Sequence, residues 1–320
     1  MRIAWFLLNR LAGGVALLLV LSVLVFGLLY LTPGSAIQTL MGSRPPSPSL
    51  IKALTEKYHL NEPVVVQYSH WLAGAVHLDF GVSISVQTGT PVTTLIWQHV
   101  GLSAELALYS LVIVAVVGIP LGMVSGMRRG AARDRGISLL ATVAVSAPAY
   151  VTSVLALYLF GVRLSWFPVY GVGTGFAGRL GHLTLPALTL AALLGAIVVR
   201  QTRAAVVGVV QQDYLTFAKL RGLSRRRILV RYALRNAAVP VVTSAGLLLI
   251  IALTAGLFVE QVFSLPGAGT LLLTAVTDKD IPTVQGLAMA LGVLVVVVNL
   301  LVDLAVLVID PRARYSSTAG

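Results

Sequence analysis

The sequence has no cysteine and very little charge. Without thiols it can form no disulfide, thiolate metal site or cysteine nucleophile. Charged residues make up only 11% of its 320 positions, against roughly 25% in a soluble domain. Only Lys52, Lys57, Lys219 and Lys279 are lysines, and none follows a glycine. The phosphate loop G-x-x-x-x-G-K-[ST] is therefore absent, and the chain is not expected to bind or hydrolyse ATP. Short alternating apolar segments are missing as well, which excludes a membrane β-barrel. The histidines are His59, His70, His77, His99 and His182. All lie outside the long apolar runs, and no two share an i, i+3 or i+4 spacing. No metal site, bound cofactor or catalytic constellation is expected.

Hydrophobic residues, by contrast, reach 57%, and several runs are long enough to cross a bilayer, which takes about 20 helical residues. The first is "LAGGVALLLVLSVLVFGLLYL", Leu11 to Leu31. It exceeds the 7–15 residues of a signal-peptide core and is expected to be retained as a membrane helix. Five more spans are expected at about Leu102–Gly126, Gly136–Phe160, Leu185–Val207, Ala238–Val259 and Thr283–Ile309. Pro120 is expected to kink the second, and the third contains "SAPAY". The resulting organisation is residues 1–31 as the first helix, 32–99 as an extracytoplasmic segment with short helices, 100–309 as a five-helix core, and 310–320 as a tail. Within residues 32–99, "SLIKALTEKYHL" and "NEPVVVQYSHWLAGAVHLDFG" read as two short helical pieces, the second ending in a turn. Gly118, Gly122 and Gly126 recur every four residues, so a neighbouring helix is expected to pack closely there.

The charge that is present is lopsided. With the N-terminus inside, the inner segments hold 17 Lys and Arg and the outer segments 6. That asymmetry places both termini in the cytoplasm. It also accounts for the net charge of +12 through topology and contact with anionic lipid, with no nucleic acid partner. Few ionisable or amide groups fall within the spans. Glu105, Asn299 and Asp303 are the candidates for a translocation path or for paired structural polar groups.

One inner stretch asks for more than topology. "DYLTFAKLRGLSRRRILVRYALRN", Asp213 to Asn236, holds seven of the 23 Lys and Arg residues. Tyr214 and Ala218 share a helix face, and Gly222 falls where that helix would end. Ser224 can cap a second helix, with Ile228, Leu229, Tyr232 and Ala233 on one face and Arg227, Arg231 and Arg235 on another. A helix–glycine–helix element of this kind suits docking to a cytoplasmic partner.

The stretch resembles the cytoplasmic "EAA" loop of ABC-importer permeases, with Thr216-Phe217-Ala218 in the first three places and Gly222 at the glycine. It departs from that pattern in having Thr for Glu, Phe for the first Ala and Arg for the closing Pro. "DYLTFAKLRGLSRRRILVRYALRNAAVPVVT" is more similar to the dipeptide/oligopeptide group of these permeases. "LTPGSA", "EKYHLNEPVVVQYSHWLAGAVHLDFG", "VEQVFSLPGAGTLLLTAVTDKDIPTVQG" and "NLLVDLAVLVIDPRAR" extend the resemblance over nearly the whole chain.

The resemblance implies an all-α integral membrane fold of the type I ABC-importer class, with six membrane helices and a cytoplasmic coupling helix in residues 208–237. The chain would be a non-catalytic permease of the bacterial inner membrane, supplying half of a peptide path. Implied partners are a homologous second permease, one or two P-loop ATPase subunits carrying ATP and Mg, an extracytoplasmic solute-binding protein, and lipid. Tyr214, Thr216, Phe217, Ala218, Gly222, Leu223 and Ser224 would meet the ATPase. Phe263, Pro266, Gly267 and Gly269 would lie where the binding protein docks. The competing readings are a stand-alone secondary transporter or channel, and a permease of the same group for nickel, heme or glutathione.

Overall fold

A computed structural model of the chain describes residues 2–31, 36–41, 47–212 and 244–309. Among these residues every regular element is helical, and extended pairing is confined to an isolated bridge between Val82 and Pro91. Five helical segments are long and apolar enough to cross a membrane, or six if one sharply bent pair is a single span. By contact the chain divides into Met1–Ser103 with Pro266–Val297, and Ala104–Leu265 with Val298–Gly320.

In the first unit, α1 (Arg2–Leu31) begins nine residues before the expected apolar run. The short helices α2 (Ala36–Met41), α3 (Pro48–Lys57) and α4 (Val64–Val76) follow. Leu29, Leu40, Met41, Leu54 and Ile281 form one core cluster, and Ala75, Phe80, Val92, Leu95, Ala268, Leu271 and Leu287 belong to another. So residues 47–92 fold onto the membrane helices instead of standing apart. Glycine permits the closest approaches. A Cβ at Gly286 would lie 2.5 Å from Val92 Cγ1, and one at Gly292 would lie 2.5 Å from Leu21 Cδ2.

Asp280 fastens this unit. It is fully buried, just before the last helix, α12 (Ile281–Ile309). Its Oδ2 accepts the Ser83 hydroxyl at 2.5 Å and the N–H groups of Ile84, Ser85 and Val86 at 3.0–3.1 Å. Its Oδ1 accepts the Thr283 N–H at 3.2 Å, capping α12. Three consecutive N–H groups make a concave anion nest, and here the anion comes from the chain itself. Burial works to raise the Asp280 pKa, but the donors from Ser83, Ser85 and Val86 hold it below its ordinary value.

The second unit contains the remainder of α5 (Val92–Ile113), a π-helical stretch Val114–Gly118, and α6 (Ile119–Met127). These form one span of 36 residues. The expected disturbance at Pro120 takes the form of the π stretch before it: proline cannot donate to the carbonyl four residues back, and a widened turn absorbs the gap. The third expected span is not one straight helix. α7 (Ala132–Ser146) and α8 (Ala149–Ala156), continued by the π-helical Leu157–Arg163, meet at 106°. Pro148 disfavours helical backbone in the residue before it, and Ala147 is extended at φ −82°, ψ 128°. α9 (Gly175–Val210) starts ten residues before the expected boundary and carries Pro186 inside it. α10 (Ala245–Val262) follows residues outside the described set, and α11 (Ala268–Thr277) precedes α12.

The glycine row on α5–α6 packs against α9 as its spacing predicts. A Cβ at Gly122 would lie 2.6 Å from Thr202 Cβ and 2.8 Å from the Val199 carbonyl oxygen. One at Gly126 would lie 2.7 Å from Val206 Cβ and 2.9 Å from the Arg203 carbonyl oxygen, and Gly118 meets Gly195 at 3.6 Å. Leu24, Leu108, Leu140 and Leu155 are exposed.

Two predictions follow from this packing. Gly126→Leu forces a side chain into backbone and should cost at least about 1–3 kcal/mol, read as a lower apparent Tm in detergent, while Gly136→Leu, at an open position, should leave Tm unchanged. Asp280 has a lowered folded pKa, so its stabilisation is complete above the unfolded carboxylate value near ~3.9 and is lost as pH falls through the folded value. An acid-melting series should therefore show a fall in Tm below about pH 4 that Asp280→Asn flattens, and Asp280→Asn should already be less stable at neutral pH.

Candidate functional site

Tyr214, Thr216, Phe217, Ala218, Gly222, Leu223 and Ser224 lie outside the described residues. What the structure defines is the frame from which that stretch hangs. α9 precedes it, ending at Val210 with Gln211 as its cap, and Ser244 follows it at the start of α10. The Ser244 hydroxyl donates to Gln201 Oε1 at 2.7 Å, joining the two flanks.

The base of α9 is gripped by a second buried carboxylate. Asp134 sits in the first turn of α7, where the helix dipole favours an anion. Its Oδ1 accepts the Ser125 hydroxyl of α6 at 2.5 Å, and its Oδ2 accepts the Gly130 N–H at 2.8 Å. Gly130 has φ +83°, a turn conformation that glycine adopts without strain. Arg203 of α9 completes the set with a forked pair, Nε to Oδ1 at 2.6 Å and Nη2 to Oδ2 at 2.9 Å. One carboxylate thus joins α6, the turn after it, α7 and α9. Arg200 adds a bond to the Thr142 hydroxyl at 3.0 Å between α9 and α7. In the sequence these residues form part of a basic loop and a helix end, and the only visible signal was a lone acid in "MRRGAARDR".

The other candidates separate by environment. Glu105 pairs with Arg179 of α9 at 3.0 Å, both about half exposed. Asn299 packs on Gly246 of α10 so closely that no Cβ would fit there. Asp303, one turn further on, is half-buried and partnered. Of the docking candidates, Phe263 is buried at 2% exposure and anchors the end of α10. Gly267 is also buried, Gly269 is half-buried and Pro266 is exposed. The Ala268 N–H at the start of α11 is taken by the Ser103 hydroxyl at 2.8 Å, which fixes this turn on α5.

Comparison with known proteins gives a consistent picture. The family described as binding-protein-dependent transport system inner membrane component matches residues 118–315. The corresponding N-terminal family matches residues 3–92. The chain is 37% identical to a putative peptide permease protein of Brucella ovis, over 96% of this chain and 98% of that protein. It is 32% identical to a probable peptide ABC transporter permease protein of Sinorhizobium fredii, over 97% and 99%. It is 34% identical to the oligopeptide transport system permease protein AppB of Bacillus subtilis, over 98% and 100%.

Removing one member of a buried ion pair costs about 3–5 kcal/mol because the other charge stays unpaired, whereas replacing both costs far less. Arg203→Met should therefore lower the apparent Tm and the yield of folded protein. Asp134→Asn added to it should restore most of the loss. Equal Tm in the wild type and the single variant would show that the clamp holds nothing.

Proposed function

The chain belongs to the family of binding-protein-dependent transport system inner membrane components, and from that premise we propose that it is the peptide-conducting permease of an ATP-driven importer. It is a multi-pass component of the bacterial inner membrane and a transporter subunit in kind, not an enzyme. The observation that carries the peptide reading is similarity along the whole chain to permeases named for peptide transport.

In this reading two homologous permeases enclose the path. One or two ATPase subunits beneath them carry ATP and Mg, and a solute-binding protein delivers peptide from outside. Tyr214, Thr216, Phe217, Ala218, Gly222, Leu223 and Ser224 form the surface that the ATPase engages. Ala218 and Gly222 let two backbones approach, and a larger residue would hold them apart. When the ATPases close, the push enters α9 and α10 through the two flanks of the loop. The Asp134–Arg203 clamp then passes it to α6 and α7, since those helices cannot move independently of the base of α9. The exposed Pro266 and the half-buried Gly269 lie on the segment that meets the binding protein. Glu105, Asn299 and Asp303 serve as paired or packed polar groups that hold helices together.

The test is Gly222→Asp in the complete complex reconstituted in vesicles. The variant should insert and assemble as the wild type does, but lose most peptide uptake and most binding-protein-stimulated ATPase activity. Wild-type uptake by Gly222→Asp would remove the coupling assignment, and failure of the chain to co-purify with ATPase subunits would remove the importer reading.

A further inference from the structure

A group of side chains in the first unit has no role in the transport reading. Just beyond α3, His59 lies in the left-handed region, at φ +52°, and Leu60 N–H returns to Thr55 O at 3.0 Å. The chain then turns, with Glu62 N–H on His59 O at 2.9 Å, and enters α4, which carries His70. The reversal lays the His59 and His70 rings face to face, 4.2 Å apart and 11° from parallel. Both address one carboxylate. His59 Nδ1 is 3.2 Å from Glu62 Oε1, and His70 Nε2 is 3.4 Å from Glu62 Oε2. One donor atom from each residue lies within 4.8 Å of the others.

From this arrangement we infer that His59, Glu62 and His70 form a binding site for a divalent transition-metal cation of the zinc type. Two imidazole nitrogens and a carboxylate oxygen are the donor set that such ions take, whereas magnesium and calcium demand oxygen alone. Metal–ligand bonds of about 2.0–2.2 Å at a tetrahedral ion put neighbouring donors about 3.4 Å apart, and the two His–Glu contacts, one to each carboxylate oxygen, are close to that at 3.2 and 3.4 Å. Glu62 Oε2 is itself a buried oxygen with no hydrogen bond, 3.4 Å from His70 Nε2, so it holds unused acceptor capacity beside that ring. The main chain at Glu62 is fixed from behind. Gln67, buried on α4, donates its amide to the Glu62 backbone carbonyl at 2.7 Å and accepts the Tyr30 hydroxyl of α1. This ties the turn that carries Glu62 to α4 and α1.

The site borders a cavity of about 220 Å³ lined also by Tyr58, Trp71 and Asp79. Three protein ligands leave a fourth position for water or an incoming donor. A bound cation would join the end of α3 to α4, clamping the segment that the charge distribution places outside the cytoplasm. This goes beyond the transport reading and does not depend on it.

The experiment is calorimetric titration of the full-length chain in detergent, stripped with EDTA, using Zn²⁺ alone. Saturable uptake of one equivalent is expected. His59→Ala, His70→Ala and Glu62→Gln should each weaken it by at least the ~10–100-fold that loss of an outer partner costs at metal sites. His99→Ala, far from the cluster in sequence and bonded to its own helix, should bind as the wild type does, and excess Mg²⁺ should not compete. Size-exclusion profiles identify folded variants. If His59→Ala elutes abnormally, His70→Gln, at a half-exposed position, decides in its place. No saturable uptake by the wild type, or undiminished uptake by the His70 and Glu62 variants, overturns the assignment.

Discussion

A hydrocarbon interior offers nothing that can take a hydrogen bond, so wherever this chain leaves regular helix the lost pairing must be answered from within. Three prolines force the question and receive three answers. Before Pro120 the helix widens into a π stretch, and the Ile119 N–H bonds to the Val114 carbonyl five residues back. At Pro148 the helix stops, the chain bends by 106°, and the Thr152 N–H takes the Pro148 carbonyl at 3.1 Å to start again. Pro186 is carried inside α9 with no break in the helix, and the Thr189 hydroxyl adds a bond to the Pro186 carbonyl at 2.7 Å. The same residue type thus yields a soft turn, a corner and an unbroken rod.

Charge obeys the same constraint. Asp134 and Asp280 are both buried, and each carboxylate accepts bonds on both oxygens from local donors and from a segment far along the chain. Their partners differ in kind. Asp134 is met by a guanidinium whose planar fork matches a carboxylate. Asp280 is met by neutral N–H groups and a hydroxyl. An ion pair suits the base of α9, where Arg203 remains partly exposed. A neutral nest suits a site with no water access. In each unit a single acid performs the joining that glycine packing alone leaves unfinished.

What could be read from the sequence was what depends on neighbours along the chain. Hydropathy located the membrane helices because bilayer thickness sets their length. The four-residue spacing of Gly118, Gly122 and Gly126 announced a close helix contact because that spacing repeats on one helix face. Helix ends were harder. The rule expects Gly or Asn in the left-handed cap, yet His59, Leu78, Ser264 and Lys279 hold that conformation here, at φ +50° to +61°. In each case the next residue's N–H reaches five residues back, as Leu265 does to Glu260 at 2.8 Å. Nothing local marks them. The long-range pairs were invisible for another reason. Asp134 and Arg203 are 69 residues apart, and Ser83 and Asp280 are 197 apart. His59 and His70 meet only because a turn reverses the chain between them, so helical spacing rules pass over them.

The separation between the nest and its anion has a consequence for biogenesis. Residues 83–86 are made early, and Asp280 arrives only when the last membrane helix is about to follow. At about 5–20 residues per second, ribosomes take ~10–40 s to cover that interval. Throughout it residues 83–86 lack the carboxylate that their N–H groups and the Ser83 hydroxyl bond in the folded chain. A truncated or stalled chain never acquires it. The Asp280 contact therefore acts as a completeness check: residues 83–86 acquire their anion only in a chain translated as far as its final span.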